Sequence, residues 1–247
     1  MSISLDDWAC SYSGCDGGDP SSDIWLCGIE WGYEKATEIE RQNYYKNILP
    51  EEIKAGEHKL NINYNFFTDE SLNFPFNLAF AKLYSAVKNG SVSEYKKNEG
   101  TILKLNLLPI AFREDNELLW GESLISATGF NAKSDFIAYM NTLNRFVKIT
   151  ENYKPKLIIC IGNGYQNNFV KGFFGNNEIK LGYQAIKPES SNKNQNNRYI
   201  YYARHIDTLL VVTPFSTSSN GLNSDHLLQA VGNKIRELLA NDDNNCV

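Results

Sequence analysis

The chain lacks most of the features that would assign it quickly. No apolar run approaches the roughly 18–20 residues that span a bilayer. Residues 1–8 are short, acidic and not followed by an apolar stretch, so neither a membrane association nor a signal peptide is expected. Positive charge is scarce: 24 Lys and Arg stand against 29 Asp and Glu, a formal net charge of −5, which excludes a protein that holds nucleic acid by bulk charge. Residues 151–210 run the other way, with more cations than acids. That stretch is either a local basic face or a solvated mixed surface.

The five cysteines, Cys10, Cys15, Cys27, Cys160 and Cys246, are odd in number and scattered. They suit a reducing cytoplasm better than a disulfide framework. Cys10 and Cys15 have no second pair at ligand spacing, so no metal site and no cofactor is expected. The three histidines, His58, His205 and His226, show no His-x-x-x-His or His-Glu-x-x-His spacing. There is no Gly-x-Ser-x-Gly elbow, Walker loop or complete Gly-x-Gly-x-x-Gly, which removes the common hydrolase and nucleotide-loop signatures.

What is present is a sequence of buried-strand signals separated by helical ones. Residues 23–28 form a short apolar run ending in Gly28, as a central strand does. Residues 101–108 and 209–214 are two more, each stopped by proline, and 154–162 is the clearest of all. Residues 59–67 are also strand-like. Residues 179–186 and 198–204 read as a hairpin with a polar tip. Between them the apolar spacing predicts helices over 34–45, 78–87, 134–152 (with Ser134 as N-cap), a short one through Phe169, and 225–239. Residues 113–132 read as an excursion on the active-site side or a short helix. Alternating strands and helices give an α/β fold, a three-layer α/β/α sandwich with a mostly parallel central sheet. The 247 residues fit a single domain, with 1–12 and 241–247 expected to be flexible.

The richest unit is the glycine-rich loop 14–22, the strand after it, and the turn Gly28-Ile29-Glu30-Trp31-Gly32. Ligands of open α/β sheets bind at the carboxyl ends of strands, and glycine there lets backbone N–H groups approach them. Glu30 in that turn is either a general base or a solvated turn residue. Asn106, near the end of the 101–108 run, is either a reader of a ligand edge, since an amide donates and accepts at once, or a strand terminator. Phe74 and Phe76, before a helix, are either a stacking face or core.

The stretch Asp16-Gly-Gly-Asp-Pro-Ser-Ser-Asp-Ile-Trp-Leu-Cys-Gly-Ile-Glu-Trp-Gly32 resembles the opening of bacterial and archaeal members of the uracil-DNA glycosylase superfamily. In them a glycine-rich loop and a strand lead to a catalytic turn. The order of later pieces is similar too: Asn73-Phe-Pro-Phe-Asn77, Leu105-Asn106-Leu-Leu-Pro109, Lys154-Pro-Lys-Leu-Ile-Ile-Cys-Ile-Gly162, and Val212-Thr-Pro-Phe-Ser216 in the place of the family's His-Pro-Ser loop. The resemblance implies a uracil-DNA glycosylase-like fold and cleavage of an N-glycosidic bond in DNA. It implies Glu30 as the catalytic carboxylate, and Gly28, Ile29, Trp31, Phe74, Phe76, Asn106, Thr213 and Ser216 around the substrate. Trp31 stands where the family has Pro, Ile29 where it has a polar residue, and Thr213 where it has His; His205 or His226 could take over the role of that histidine. The implied partner is DNA or a nucleotide, with a protein partner left open and a monomer expected. A non-catalytic binding module on the same fold, or an enzyme acting on a small substrate, would share these residues.

Overall fold

The computed structural model describes residues 5–30, 37–111, 120–175, 178–187, 197–215 and 221–241. Seven strands form one mixed sheet: β1 (Gly17–Gly18), β2 (Ile24–Gly28), β3 (Leu103–Asn106), β4 (Leu157–Ile161), β5 (Gly182–Ile186), β6 (Arg198–His205) and β7 (Thr208–Thr213). Their spatial order is β1-β3-β2-β4-β7-β6-β5. The four strands β3, β2, β4 and β7 are mutually parallel. β1 lies antiparallel on one edge, and the β5–β6 hairpin is antiparallel on the other.

β4 and β7 are apolar at nearly every position because both faces of the sheet are covered. Trp25, Cys27, Ile158, Cys160, Leu210 and Val212 point into one core, shared with Phe136, Phe169 and Phe173. Leu26, Leu157, Ile159, Leu209 and Val211 point into the other, under the helices Pro75–Lys88 and Asp225–Ala240. The chain is therefore α/β, with a seven-stranded, mostly parallel sheet and helices on both sides. No helix among the described residues is long and apolar enough to cross a membrane.

Three expectations are corrected. Residues 59–67 form no strand, although their apolar residues alternate. The intervening asparagines fold the chain on itself instead: the Asn61 and Asn65 side chains accept from the backbone N–H groups of Asn63 and Phe67, at 3.2 and 3.1 Å. These are Asx turns, which compete with a ladder. Within the described residues the first predicted helix runs over Glu38–Asn43, continues as a π-helix over Tyr44–Ile48 and is followed by a further helix, Leu49–Ala55, that the apolar spacing does not predict. Residues 31–36 lie outside the described residues. The long helix over 134–152 is two helices, Lys133–Leu143 and Val147–Tyr153, and its N-cap is Ala132, not Ser134. Asn144 breaks it by adopting φ 50°, ψ 48°, the left-handed conformation asparagine tolerates. The break turns Arg145 and Phe146 into the core, and the Phe146 N–H bonds to the Gly172 carbonyl at 2.8 Å.

Candidate functional site

From β2 the chain crosses to β3 on one side, then returns past β2 to β4 on the other. That reversal falls between β2 and β4, and the carboxyl ends of such a strand pair are where doubly wound sheets form their ligand crevice. Gly28, Ile29 and Glu30 leave β2 there; Gly162 and Asn163 leave β4. The two strand ends meet through Ile29. Its buried side chain lies on Gly162, which has φ +130°, and a β-carbon on Gly162 would sit 2.5 Å from Ile29 Cδ1. The Phe215 ring is also beside Gly162, 3.7 Å from the same point.

Glu30 turns its carboxylate to Lys133, the first residue of the helix Lys133–Leu143, with Nζ 3.2 Å from Oε2. The two side chains are only 11 % and 1 % exposed. An ammonium this deeply buried is costly to desolvate and persists only where a carboxylate compensates it. The pair therefore holds the Glu30 carboxyl group in place beside the crevice. Lys133 falls outside the helix that the sequence predicts, which has Ser134 as its cap. Its spacing was the available signal: Lys133, Phe136 and Met140 fall at i, i+3 and i+7 on one buried helical face.

On the neighbouring strand Asn106 is in register with Gly28 and 3 % exposed. Its Nδ2 donates to the Gly14 carbonyl at 2.6 Å, which orients the amide. Oδ1 then lies over Gly28, where an added β-carbon would sit 2.6 Å from Oδ1 and 3.7 Å from the Glu30 carbonyl. Gly28 is thus the point of contact between the Asn106 amide and the Glu30 backbone. A Gly28→Ala substitution must dislodge an amide that cannot give without losing its bond to Gly14. The expected cost is about 1–3 kcal/mol, the usual range for overpacking, read as a lower urea midpoint with an unchanged slope.

Arg145 holds Asn106 from behind. Its guanidinium is buried and donates to the carbonyls of Ser11 (from Nε at 3.1 Å and Nη2 at 2.8 Å), Ser13, Asn106 (2.7 Å) and Leu107 (3.3 Å). Among the described residues no carboxylate lies within ion-pair distance of it. Burial pulls the Arg145 guanidinium below its usual pKa, but carbonyl oxygens from the segment before the glycine-rich loop and from the end of β3 replace its water. The Cys15 sulfur accepts the Asn106 backbone N–H at 3.5 Å. Burial raises the pKa of both Cys15 and Cys27, so these thiols stay protonated. No group of His, Cys, Asp or Glu suited to a metal ion occurs among the described residues.

The other expected residues are spread around this centre. Phe74 is the N-cap of the helix Pro75–Lys88 and 42 % exposed. Phe76 is half-buried, its ring centroid 5.9 Å from the Lys104 ammonium, two positions before Asn106 on β3. Thr213 is buried at the end of β7, and its hydroxyl faces the Cys160 carbonyl at 3.4 Å rather than the crevice. Trp31 and Ser216 lie outside the described residues. His205 is at the wrong end of the sheet to replace a crevice histidine: it pairs with Thr208 at the start of β7 and packs on Phe174. It lines a cavity of about 20 Å³ there, room for one water. His226 is exposed on the first turn of the helix Asp225–Ala240.

Compared with family models, curated proteins and solved structures, the chain matches none. The functional argument therefore rests on the crevice and on the residues that build it.

Proposed function

We propose that the chain is a divergent uracil-DNA glycosylase-like protein that hydrolyses the N-glycosidic bond of a damaged base flipped out of DNA. The observation that carries this reading is the buried Glu30–Lys133 pair at the carboxyl end of the first parallel strand, beside the point where the strand order reverses. Cleavage passes through an oxocarbenium-like sugar. An ionised carboxylate next to C1′ stabilises that cation and orients the attacking water. The C1′–N bond breaks and its electron pair leaves with the base. Water adds to C1′ and gives its proton to Glu30, which passes it to solvent or to the departing base. Asn106 reads the flipped base, and Phe74 or Phe76 offers a stacking face.

One observation favours a second reading, a non-catalytic nucleotide-, nucleic-acid- or protein-binding module on the same fold. Thr213 stands in the place of the family's histidine and turns its hydroxyl toward Cys160, so it offers the departing base no strong donor.

The test separates the two. Labelled single- and double-stranded oligonucleotides carrying uracil, hypoxanthine or xanthine are incubated with the protein and scored for alkali-labile abasic sites. Hydrolysis predicts abasic sites with at least one base. Salt-dependent binding of the same strands by folded protein, with no abasic sites, assigns the binding module.

A further inference from the structure

The β5–β6 hairpin has one face turned into the core and another that its neighbours only half cover. Ile186 and Ile200 point inward against the core under the helix Asp225–Ala240. On the opposite face Tyr201 and Ala203 pack into the core that includes the helix Gln166–Phe174. On the edge strand β5, where Tyr183 pairs with Tyr201, and toward the carboxyl ends of the parallel strands at Tyr199, that cover stops. Tyr183 is 66 % exposed and Tyr199 41 %, with ring centroids 6.3 Å apart and Ala185, paired with Tyr199, exposed beside them. Two large tyrosines held side by side on a rigid sheet face, with nothing packed over them among the described residues, form an amphipathic contact surface.

The surface is joined to the crevice. The Asn163 amide, at the end of β4, donates to the Tyr199 carbonyl at 2.7 Å. Phe215, 43 % exposed, has its ring beside Gly162 at the same strand end. Charge points the same way. Lys180 and Lys187 flank β5, Lys171 stands on the neighbouring helix, and all three are exposed, with Glu178 as the opposing charge on the same stretch. In a chain of net charge −5 this is a local reversal of sign.

We propose that the bare face of the hairpin, with Tyr183, Tyr199 and Phe215, is a stacking platform for unpaired bases, along which a single strand of nucleic acid runs into the crevice. Aromatic rings on a sheet face, bordered by lysines that follow the phosphates, are what sequence-tolerant single-strand binding uses. The inference rests on the nucleic-acid part of the function proposed above and not on base release.

The test uses the full chain and fluorescein-labelled 20-residue oligo(dT) and oligo(U) containing no damaged base, with affinity read from anisotropy. Tyr183→Ala/Tyr199→Ala should weaken binding at least tenfold at constant salt, since each lost stack removes a factor of that order. Tyr183→Phe/Tyr199→Phe, which keeps the rings, should bind as the parent does; an equal loss in this pair would overturn the platform. Both tyrosines are exposed, and an unchanged melting temperature shows that the variants fold. Weaker binding of one polymer only, DNA or RNA, identifies the strand served. Unchanged affinity of the double alanine variant overturns the platform even if the parent releases a base from the oligonucleotides of the previous test. Absence of binding to either polymer by the parent, or loss of self-association in the alanine variant in place of loss of strand binding, overturns it as well.

Discussion

Arg145→Met is expected to lower the unfolding free energy by about 3–5 kcal/mol, because it strips several buried carbonyls of their donors at once. The substitution keeps much of the aliphatic stem but leaves the carbonyls of Ser11, Ser13, Asn106 and Leu107 without the donors that now satisfy them. Buried acceptors stripped of partners lose their hydration without compensation, at about 1–3 kcal/mol each when nothing relaxes. Two of the four, Ser11 and Ser13, are in the N-terminal segment before the glycine-rich loop. That segment can move toward water, so the sum is not reached. Arg145→Lys keeps the charge but has three donors on one nitrogen in place of a planar fork, and should fall between the parent and Arg145→Met. Urea unfolding measures both. A loss below about 1 kcal/mol for Arg145→Met would mean that the N-terminal segment is not held by this group.

The second large effect is a failure of additivity. Glu30→Gln and Lys133→Met each remove one partner of this buried ion pair, and each should cost about 3–5 kcal/mol. Replacing both removes the desolvation problem together with the attraction, and such replacements are often close to neutral. The double variant Glu30→Gln/Lys133→Met should therefore be more stable than the sum of the single changes by at least about 2 kcal/mol, in the range of coupling measured between contacting residues. Additivity within about 0.5 kcal/mol would show that the 3.2 Å contact carries no coupling.

These residues also show what could be seen in the sequence. β2, β4 and β7 were legible because central parallel strands are apolar on both faces and need no periodicity to be recognised. The placement of Glu30 at a carboxyl strand end followed from the glycine after the run. The asparagines at 61 and 65 were not legible as turns, because a run alternating polar and apolar residues looks the same whether its polar side chains face water or their own backbone. Asn144 hid the break in the long helix, since the apolar stripe continues across it. Lys133 and Arg145 were missed for a common reason. Their partners lie about 100 residues away for Lys133, and as far as 134 for Arg145, and a buried cation has the same letter as a solvated one.

The central claim is that the Glu30–Lys133 pair works as the chemical centre of the crevice and is more than a structural contact. Single-turnover release of a damaged base from an oligonucleotide, by the parent and by Glu30→Gln/Lys133→Met at matched folded fractions, tests it most directly. The stability argument expects the double variant to remain folded, so a loss of rate reports chemistry. The prediction is a fall of about 10²–10⁴-fold, the contribution of a positioned acid–base group, with binding of the oligonucleotide little changed. A double variant that releases the base at the parent's rate would contradict the account and leave Glu30 and Lys133 as a structural ion pair.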